Sequence, residues 1–520
     1  MVVSCVAVLP PSPPNRQPVN LVKMSSRYGI SSDRFSCHVQ RDNPDDRLNK
    51  LPDDILVTIL ERLHVRDATR ASVLSRRWRH LPAMLSSLNI DLYDFHEFHP
   101  EDRPTICDDE IARVNAATVE ATKSILANRD SDRNTIRSLQ VSFFLKDDDA
   151  ISIGRAVGHT MATRNVEMAE FTVLTEKEGD YNVDDDFVRN GRQFMSFFEA
   201  CPIAFGGLTS LRLESLTFGE LDISNVLTVC KRLKYLRLVH CESESWPLLV
   251  QHLQLSELAI VECSFVGVEL SSLPKLTRMT FTGWTSLDDE LYLGYVPLLE
   301  ALSLCNVCLS SHEMVNLSKF LVGTSLRDLK LGFECEKIWV QPECRQASVF
   351  NKLRSVYLDE IPEGYDLTWT LSILEVAPKL KELYLTVWDH LCKMQTDDED
   401  RQALSYSENK GIDWESSTSN FRHNNLATLV IFGFHHEDYM VKYVRRVMEA
   451  AMNLEDVFLW PRRTCRECND NPPKPCKFPF TEPEKCLLGT RISFGLQSSA
   501  TVHFSTGKNR ADHDARMVFP

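Results

Sequence analysis

Apolar residues return along this chain with a fixed internal spacing. The pattern L-x-x-L-x-L, with conservative swaps, appears at Leu208-Leu211-Leu213, Leu233-Leu236-Leu238, Leu255-Leu258-Ile260, Leu276-Met279-Phe281 and Leu299-Leu302-Leu304. It continues at Leu326-Leu329-Leu331, Leu353-Val356-Leu358, Leu380-Leu383-Leu385, Leu426-Leu429-Ile431 and Leu454-Val457-Leu459. Successive copies start 25, 22, 21, 23, 27, 27, 27, 46 and 28 residues apart. Weaker copies precede them at Ile136-Leu139-Val141 and Val166-Ala169-Phe171. Alternation at the end of each copy is the period of a strand with one buried face. A repeat of roughly 20–30 residues holds one such strand and a return segment; one unit cannot bury its leucines, but stacked neighbours can. The pattern therefore predicts an α/β solenoid with a parallel sheet. Residues 88–92 (LNIDL) read as a first strand, and 109–129 as a helix carrying Ile111, Val114, Thr118, Ala121 and Ile125. Cys241 and Cys263 fall three residues past the last apolar position of their copies, where a small buried residue closes the turn.

A different period governs the region before the repeats. Leu51, Ile55, Leu56, Ile59, Leu60 and Leu63 form one stripe on a helix that Pro52, Asp53 and Asp54 open. A second short helix from about Asp67 turns Ala68, Ala71 and Leu74 inward, and Ser75 caps a third carrying Arg76, Arg77 and Trp78. Three helices in so few residues need a partner, inside the chain or outside it.

The run LPDDILVTILERL, followed by RDATRASVLSRRWR, resembles an F-box in the version common in plant proteins. The period and the L-x-x-L-x-L motif match the leucine-rich repeat. Residues 424–460, read as strand, helix and strand with the stripe Met440, Val444, Val447 and Ala451, resemble the FBD domain. The closing run Gly495 to Phe504 is similar to the tail of grass F-box proteins. Together these divide the chain into a disordered leader (1–46), an F-box (47–90), repeats with polar insertions (91–423), an FBD-like segment (424–462) and a Cys-containing tail (463–520). Met24 is a second candidate for the first residue.

The resemblance implies docking on a Skp-type adaptor and, through it, a cullin. Carried onto this chain, Leu51, Pro52, Ile55, Leu56, Ile59, Leu60, Val73, Leu74, Arg77 and Trp78 would form or support the docking surface. Arg66, Arg70, Arg76, Arg77 and Arg79 suit an acidic partner. Two residues depart from the family: His64 stands where proline is usual, and Pro82 where a tryptophan often follows Arg-His-Leu.

Between the leucines, alternate residues face the open side of the sheet. They are Arg212, Arg237, Arg278 and Lys330 in the first half, then Tyr357, Tyr384, Phe432, Phe458 and Trp460. Exposed aromatics and arginines are common binding anchors, so the aromatic end is the candidate target site. Strand positions also favour aromatics for packing alone.

Composition narrows the classes. Of 520 residues 43% are hydrophobic and 25% charged, ordinary for a globular protein, and the net charge of -15 argues against a nucleic-acid partner. No run is long and apolar enough for a membrane helix. Sixteen cysteines, mostly single and inside apolar segments, read as buried free thiols. Cys465, Cys468, Cys476 and Cys486 are the one cluster able to hold zinc, at spacings unlike a standard finger; Cys305-x2-Cys308 reads as core. His435 and His436 read as solvated loop residues. The polar stretches 146–149, 176–192 and 394–425 read as loops without calcium-site spacing.

No nucleophile, phosphate-loop, dinucleotide or metalloprotease motif appears, and the expectation is a non-enzyme without cofactor. The expected function is substrate recognition within an SCF-type E3 ubiquitin ligase in nucleus or cytoplasm, with an unknown protein target. The alternatives are a protein-binding scaffold without ligase function and a small-molecule sensor with a pocket in the array.

Overall fold

Each of the leucine motifs forms one strand in the computed structural model, which describes residues 50–71, 77–95, 107–129, 135–177, 184–243, 245–282, 290–305, 321, 323–333, 348–363, 367–387, 399, 421–462 and 477–505. The chain enters through α1 (Asp53–Leu60), α2 (Val65–Ala71) and a 3-10 turn (Trp78–Met84). It continues with β1 (Ser87–Ile90), α3 (Asp108–Ala127), β2 (Thr135–Phe144), α4 (Asp147–Thr163), β3 (Asn165–Leu174), α5 (Asp184–Ala200) and α6 (Pro202–Gly207). Next come β4 (Ser210–Glu214), β5 (Thr217–Phe218), α7 (Asp222–Val229), β6 (Tyr235–Val239), β7 (Glu242–Ser243), β8 (Leu248–Gln251), β9 (Glu257–Val261) and β10 (Gly267–Ser272). The middle of the array holds β11 (Arg278–Thr282), β12 (Glu290–Tyr295), β13 (Ala301–Cys305), β14 (Asp328–Gly332), β15 (Ser355–Ile361), α8 (Leu371–Val376) and β16 (Glu382–Val387). The chain closes with β17 (Thr428–Phe432), α9 (Asp438–Ala450), β18 (Asp456–Trp460), α10 (Glu482–Ser493) and β19 (Thr501–Phe504).

One 14-stranded sheet runs in the order β1-β2-β3-β4-β6-β9-β11-β13-β14-β15-β16-β17-β18-β19. Its neighbours are parallel, and their register repeats from one strand to the next, as in Leu211↔Leu236, Leu236↔Leu258, Leu258↔Met279 and Met279↔Leu302. These residues are buried, as are Leu329, Val356, Leu383, Leu429 and Val457 further along the row. The leucine rows thus make one continuous core under the sheet. The described residues from Pro52 onward form a single compact unit.

The turn out of the strand has its own repeat. Ser215, His240, Glu262 and Glu360 lie two residues past the last apolar motif position, and all have positive φ, between 48° and 55°. Gly433 takes the same place with φ of 78°. A left-handed residue there re-aims the chain so that the next side chain returns to the core. Cys241 and Cys263 fill that next position, buried and free, with the Cys241 amide donating to Cys263 Sγ at 3.3 Å. Burial pushes the Cys241 thiol well up.

Two histidines staple neighbouring repeats. His252 and His423 each precede the first leucine of a motif by three residues. His252 Nε2 meets the Cys230 carbonyl at 3.1 Å, and Nδ1 accepts from the Gln254 amide at 3.2 Å. His423 Nε2 meets the Ala377 carbonyl at 3.0 Å, and Nδ1 accepts from the Leu426 amide at 3.0 Å. With Nδ1 accepting and Nε2 donating, both rings are neutral, and burial holds both below the usual histidine range.

Two expectations for polar stretches change. The acidic run at 146–149 leads into α4, and the 176–192 stretch contains the start of α5. Carboxylates in a first turn complement the helix dipole, so the runs start helices rather than loops. Asp186, nearly buried, accepts from Lys177 and Arg189, each at 2.7 Å. A second parallel sheet, β8-β10-β12, lies between the repeats where the sequence reading placed only return segments. Most of the 394–425 stretch lies outside the described residues.

Candidate functional site

The six-residue apolar stripe of the first helix divides between two faces. Leu56 and Leu60 are fully buried and Val57 nearly so, with α1 packed against the 3-10 turn, whose Leu81 is also fully buried. Ile55 and Leu63 are 44% and 45% exposed, Pro52 is exposed and Ile59 half-buried. Residues 55 and 56 lie about 100° apart on a helix, so one side of α1 is core and the other is open. Ile55 and Ile59 share the outer face of α1, with Pro52 at its N-cap and Leu63 in the turn beyond its end. That set is the candidate adaptor surface.

The rest of the expected docking set takes other roles. Leu56, Leu60 and Trp78 support the surface from inside. Arg77 is not free for a partner: its Nε and Nη2 donate to Asp53 Oδ1 at 2.9 and 2.7 Å, which ties down the start of α1. That hydrogen bond holds the Asp53 carboxyl below the usual range. Leu51 is half-buried, while Val73 and Leu74 lie outside the described residues. Of the basic cluster, Arg66 donates to the Asp94 carbonyl at 2.8 Å, whereas Arg70 and Arg79 are exposed; Arg76 is outside the described residues.

Both departures from the family fit into this junction. The His64 carbonyl accepts the first amide bonds of α2, and Nδ1 pairs with Asp94 at 2.6 Å. Pro82 sits within the 3-10 turn, where its carbonyl accepts from Leu85. Behind them Glu61, just past α1, fastens the helices to the sheet. Its Oε1 accepts from the Ser86 amide at 2.9 Å, the Ser86 hydroxyl at 2.7 Å and the Ser87 amide at 3.3 Å. Its Oε2 faces Arg137 of β2 at 3.4 Å. Burial raises the Glu61 carboxyl, but the Ser86 bonds and Arg137 outweigh it and hold the group low. Arg129 adds a bond to the Leu85 carbonyl at 2.5 Å.

Across the sheet, the alternate residues do share one face. A single row passes through Arg212, Arg237, Ala259, Thr280, Ser303, Lys330, Tyr357, Tyr384, Val430, Phe458 and His503. The aromatic end is not an exposed anchor surface, which corrects the expectation. Tyr384 and Phe432 are fully buried, Trp460 is 1% exposed, Tyr357 is 7% exposed and Phe458 is half-buried. In-register neighbours bring the rings together: Tyr357 stacks on Tyr384 at 4.7 Å, Phe432 on Trp460 at 6.0 Å, and Phe458 on His503 at 4.7 Å. Burial pushes the Tyr357 hydroxyl far up. The cluster is core on the open side of the sheet.

The open part of that face lies at the other end. A groove of about 480 Å³ runs over β2, β3, β4, β6, β9 and β11. Arg212, Arg237 and Arg278 line it with Glu170, Glu257 and the exposed Tyr235 and Met168. Glu170 accepts from Gln140 at 3.1 Å, and Glu257 faces Arg278 at 4.0 Å. The sequence placed three of these arginines on this face but did not single them out as the open end.

Among the described residues no group of three or more His, Cys, Asp or Glu could hold a metal ion. Cys486 is exposed on α10, and Cys465, Cys468 and Cys476 lie outside the described residues. Cys305 is half-buried, and Cys308 is outside them too. His435 is buried rather than solvated, with Nε2 2.9 Å from the Tyr439 hydroxyl; His436 is exposed and meets the Lys477 carbonyl at 2.8 Å. The Gly495–Phe504 run ends in β19, which adds a parallel strand to β18. α10 is held on α9 by Arg445, which donates to the carbonyls of Arg491, Ile492 and Phe494, and by the Arg491–Asp438 pair. Among the described residues no helix is long and apolar enough to cross a membrane.

Comparison with known proteins follows these elements. The F-box domain family matches residues 48–88. The At1g61320/AtMIF1 LRR domain family matches residues 195–486. The chain is 25% identical over 374 residues to the putative F-box/FBD/LRR-repeat protein At3g49030 of Arabidopsis thaliana, spanning 69% of this chain and 77% of that protein. It is 23% identical over 409 residues to the F-box/LRR-repeat protein At3g03360 of the same plant, spanning 72% and 77%. Over 87 residues it is 39% identical to the putative F-box protein At1g67390, which is 17% of either chain.

Proposed function

Since the chain belongs to the plant F-box/leucine-rich-repeat proteins with an FBD relationship, we propose that it is the substrate-recognition subunit of an SCF-type ubiquitin ligase. In this reading α1 docks a Skp-type adaptor, which joins the chain to a cullin, and the repeat sheet holds a protein target. The observation that carries it is the open apolar set of Pro52 at the N-cap of α1, Ile55 and Ile59 on its outer side and Leu63 in the turn past its end, opposite the packed Leu56 and Leu60. A set of apolar side chains facing water is a docking surface in waiting. Glu61 supports the same reading, because it fixes the end of that helix to the first strands, while Arg129 and His64 hold the neighbouring turns. A target held on the sheet then sits at a set distance from the ubiquitin donor. Catalysis is proximity: the target's lysines gain effective concentration near the thioester, and no residue of this chain enters the reaction. The groove at the first strands is open along the sheet, which favours an extended protein segment over an enclosed small molecule.

The test is affinity capture of the full chain with proteasome activity blocked, beside the double variant Ile55→Arg with Leu63→Arg. The wild type should recover a Skp-type adaptor, a cullin and ubiquitin-modified targets. The double variant should keep the targets and lose the adaptor. Recovery of targets by the wild type with no adaptor would overturn the ligase reading and leave a scaffold.

A further inference from the structure

The second sheet, β8-β10-β12, buries one side and opens the other. Its strands are parallel and in register, so each row crosses all three. Two rows, Leu248-Val268-Leu291 and Val250-Leu270-Leu293, are buried. The alternate rows, Leu249-Glu269-Tyr292 and Gln251-Ser272-Tyr295, therefore face outward. Leu249 is 41% exposed, Tyr292 61% and Tyr295 60%. Gln251 is exposed as well, while Glu269 and Ser272 are half-buried. Large apolar-bodied side chains gathered on one small sheet face are the pattern of a docking surface.

The charge on this face says what the partner brings. The two outward rows hold one carboxylate and no positive charge. That carboxylate, Glu269, stands between Leu249 and Tyr292, on strands about 4.8 Å to either side. It accepts from the Ser271 hydroxyl at 3.1 Å, and among the described residues no cation pairs with it. The basic residues that follow β10 are engaged elsewhere: Lys275 donates to Gln254 at 2.6 Å, and Arg278 faces Glu257 at 4.0 Å on the first sheet. Neither Tyr292 nor Tyr295 makes a hydrogen bond among the described residues. A carboxylate with apolar side chains on both flanks and no counter-ion is complementary to a cation on a long apolar stem.

We propose that this outer face docks a partner protein through an arginine seated over Glu269, between Leu249 and Tyr292. The guanidinium pairs with the carboxylate, its planar face lies on the Tyr292 ring, and its methylene stem covers Leu249. Glutamine in the same place would keep some of the reach and lose the charge. Tyr295 and Gln251, one row further along, receive a residue flanking the arginine. The face shares no residue with the groove over the first strands, so it stands whether or not that groove holds a target.

The probe is a set of degenerate peptides with a fixed central arginine, beside a twin set with glutamine at that position. The full chain is immobilised without adaptor. The arginine set should be retained about fivefold over the glutamine set, and added salt should weaken the retention. Glu269→Gln and Tyr292→Ser should each bring the arginine set down to the glutamine level at an unchanged thermal midpoint, because both side chains face outward. Glu120→Gln, which removes the same charge from the exposed side of α3, should change nothing. Equal retention of the two peptide sets by the wild type, or full retention of the arginine set by both Glu269→Gln and Tyr292→Ser, would overturn the proposal. An equal loss in Glu120→Gln would overturn it too, since the attraction would then come from the charge of the whole chain. Self-association of the wild type in sedimentation, abolished by Tyr292→Ser, would overturn it in favour of an interface between copies.

Discussion

Replacing Glu61 by alanine removes the fastening between the docking helix and the sheet. One carboxylate oxygen accepts from two backbone amides and a hydroxyl of Ser86 and Ser87, and the other faces Arg137. Hydrogen bonds to charged groups contribute about 1.5–3 kcal/mol each, net of the bonds water would make, when buried. Ser86 and Ser87 are half-buried, so water regains part of that loss. A net cost of about 2 kcal/mol follows, or about a 30-fold rise in local opening. Hydrogen exchange is the assay. Amides of α1 and β1 should exchange about 30-fold faster in Glu61→Ala, while those of β16 to β18 stay unchanged. Glu61→Gln keeps an acceptor oxygen and should recover about half of the effect in free-energy terms. Exchange in α1 and β1 within about threefold of wild type would refute the fastening. Loss spread evenly over the sheet would refute its local character.

Tyr384→Ala should lower unfolding stability by about 3–5 kcal/mol, as expected for a fully buried ring, whereas a surface anchor would leave the denaturation midpoint in place. Folding keeps His252 and His423 neutral, with folded pKa values below the unfolded one. Their stabilisation is therefore present above the unfolded value, near 6.5, and is lost as pH falls below it towards the folded values. Denaturation midpoints taken through that window should fall for the wild type and flatten for His252→Gln with His423→Gln; an unchanged slope would exclude the pair.

The strands were readable because each leucine copy states both a position and a face. Leu211, Leu236 and Leu258 alternate with Arg212, Arg237 and Ala259, and the register follows once the copies stack. Exposure was not readable in the same way. The side of the sheet on which Tyr384 and Phe432 stand is local, but their burial comes from rings of neighbouring repeats, which adjoin only in space. α1 shows the same limit: Ile55 and Leu56 are equally apolar neighbours, and only packing against the following turn decides which is core. Arg77 looked like part of a basic surface, and its role became visible only with Asp53 across the junction. The histidine staples did carry a signal, since His252 and His423 precede their leucines by the same three residues. The β8-β10-β12 sheet carried less, because short strands in return segments break the leucine rhythm.

In the proposed function α1 presents one open face to a Skp-type adaptor. Titration of the purified full chain with that adaptor tests it directly, using Ile55→Arg with Leu63→Arg beside Leu56→Ala. The double variant should lose binding at least a hundredfold while its unfolding midpoint matches wild type. Leu56→Ala should lose about 2–5 kcal/mol of local stability first, because it empties a packed site. Undiminished binding by a folded Ile55→Arg, Leu63→Arg variant, or no binding by the wild type, would contradict the claim.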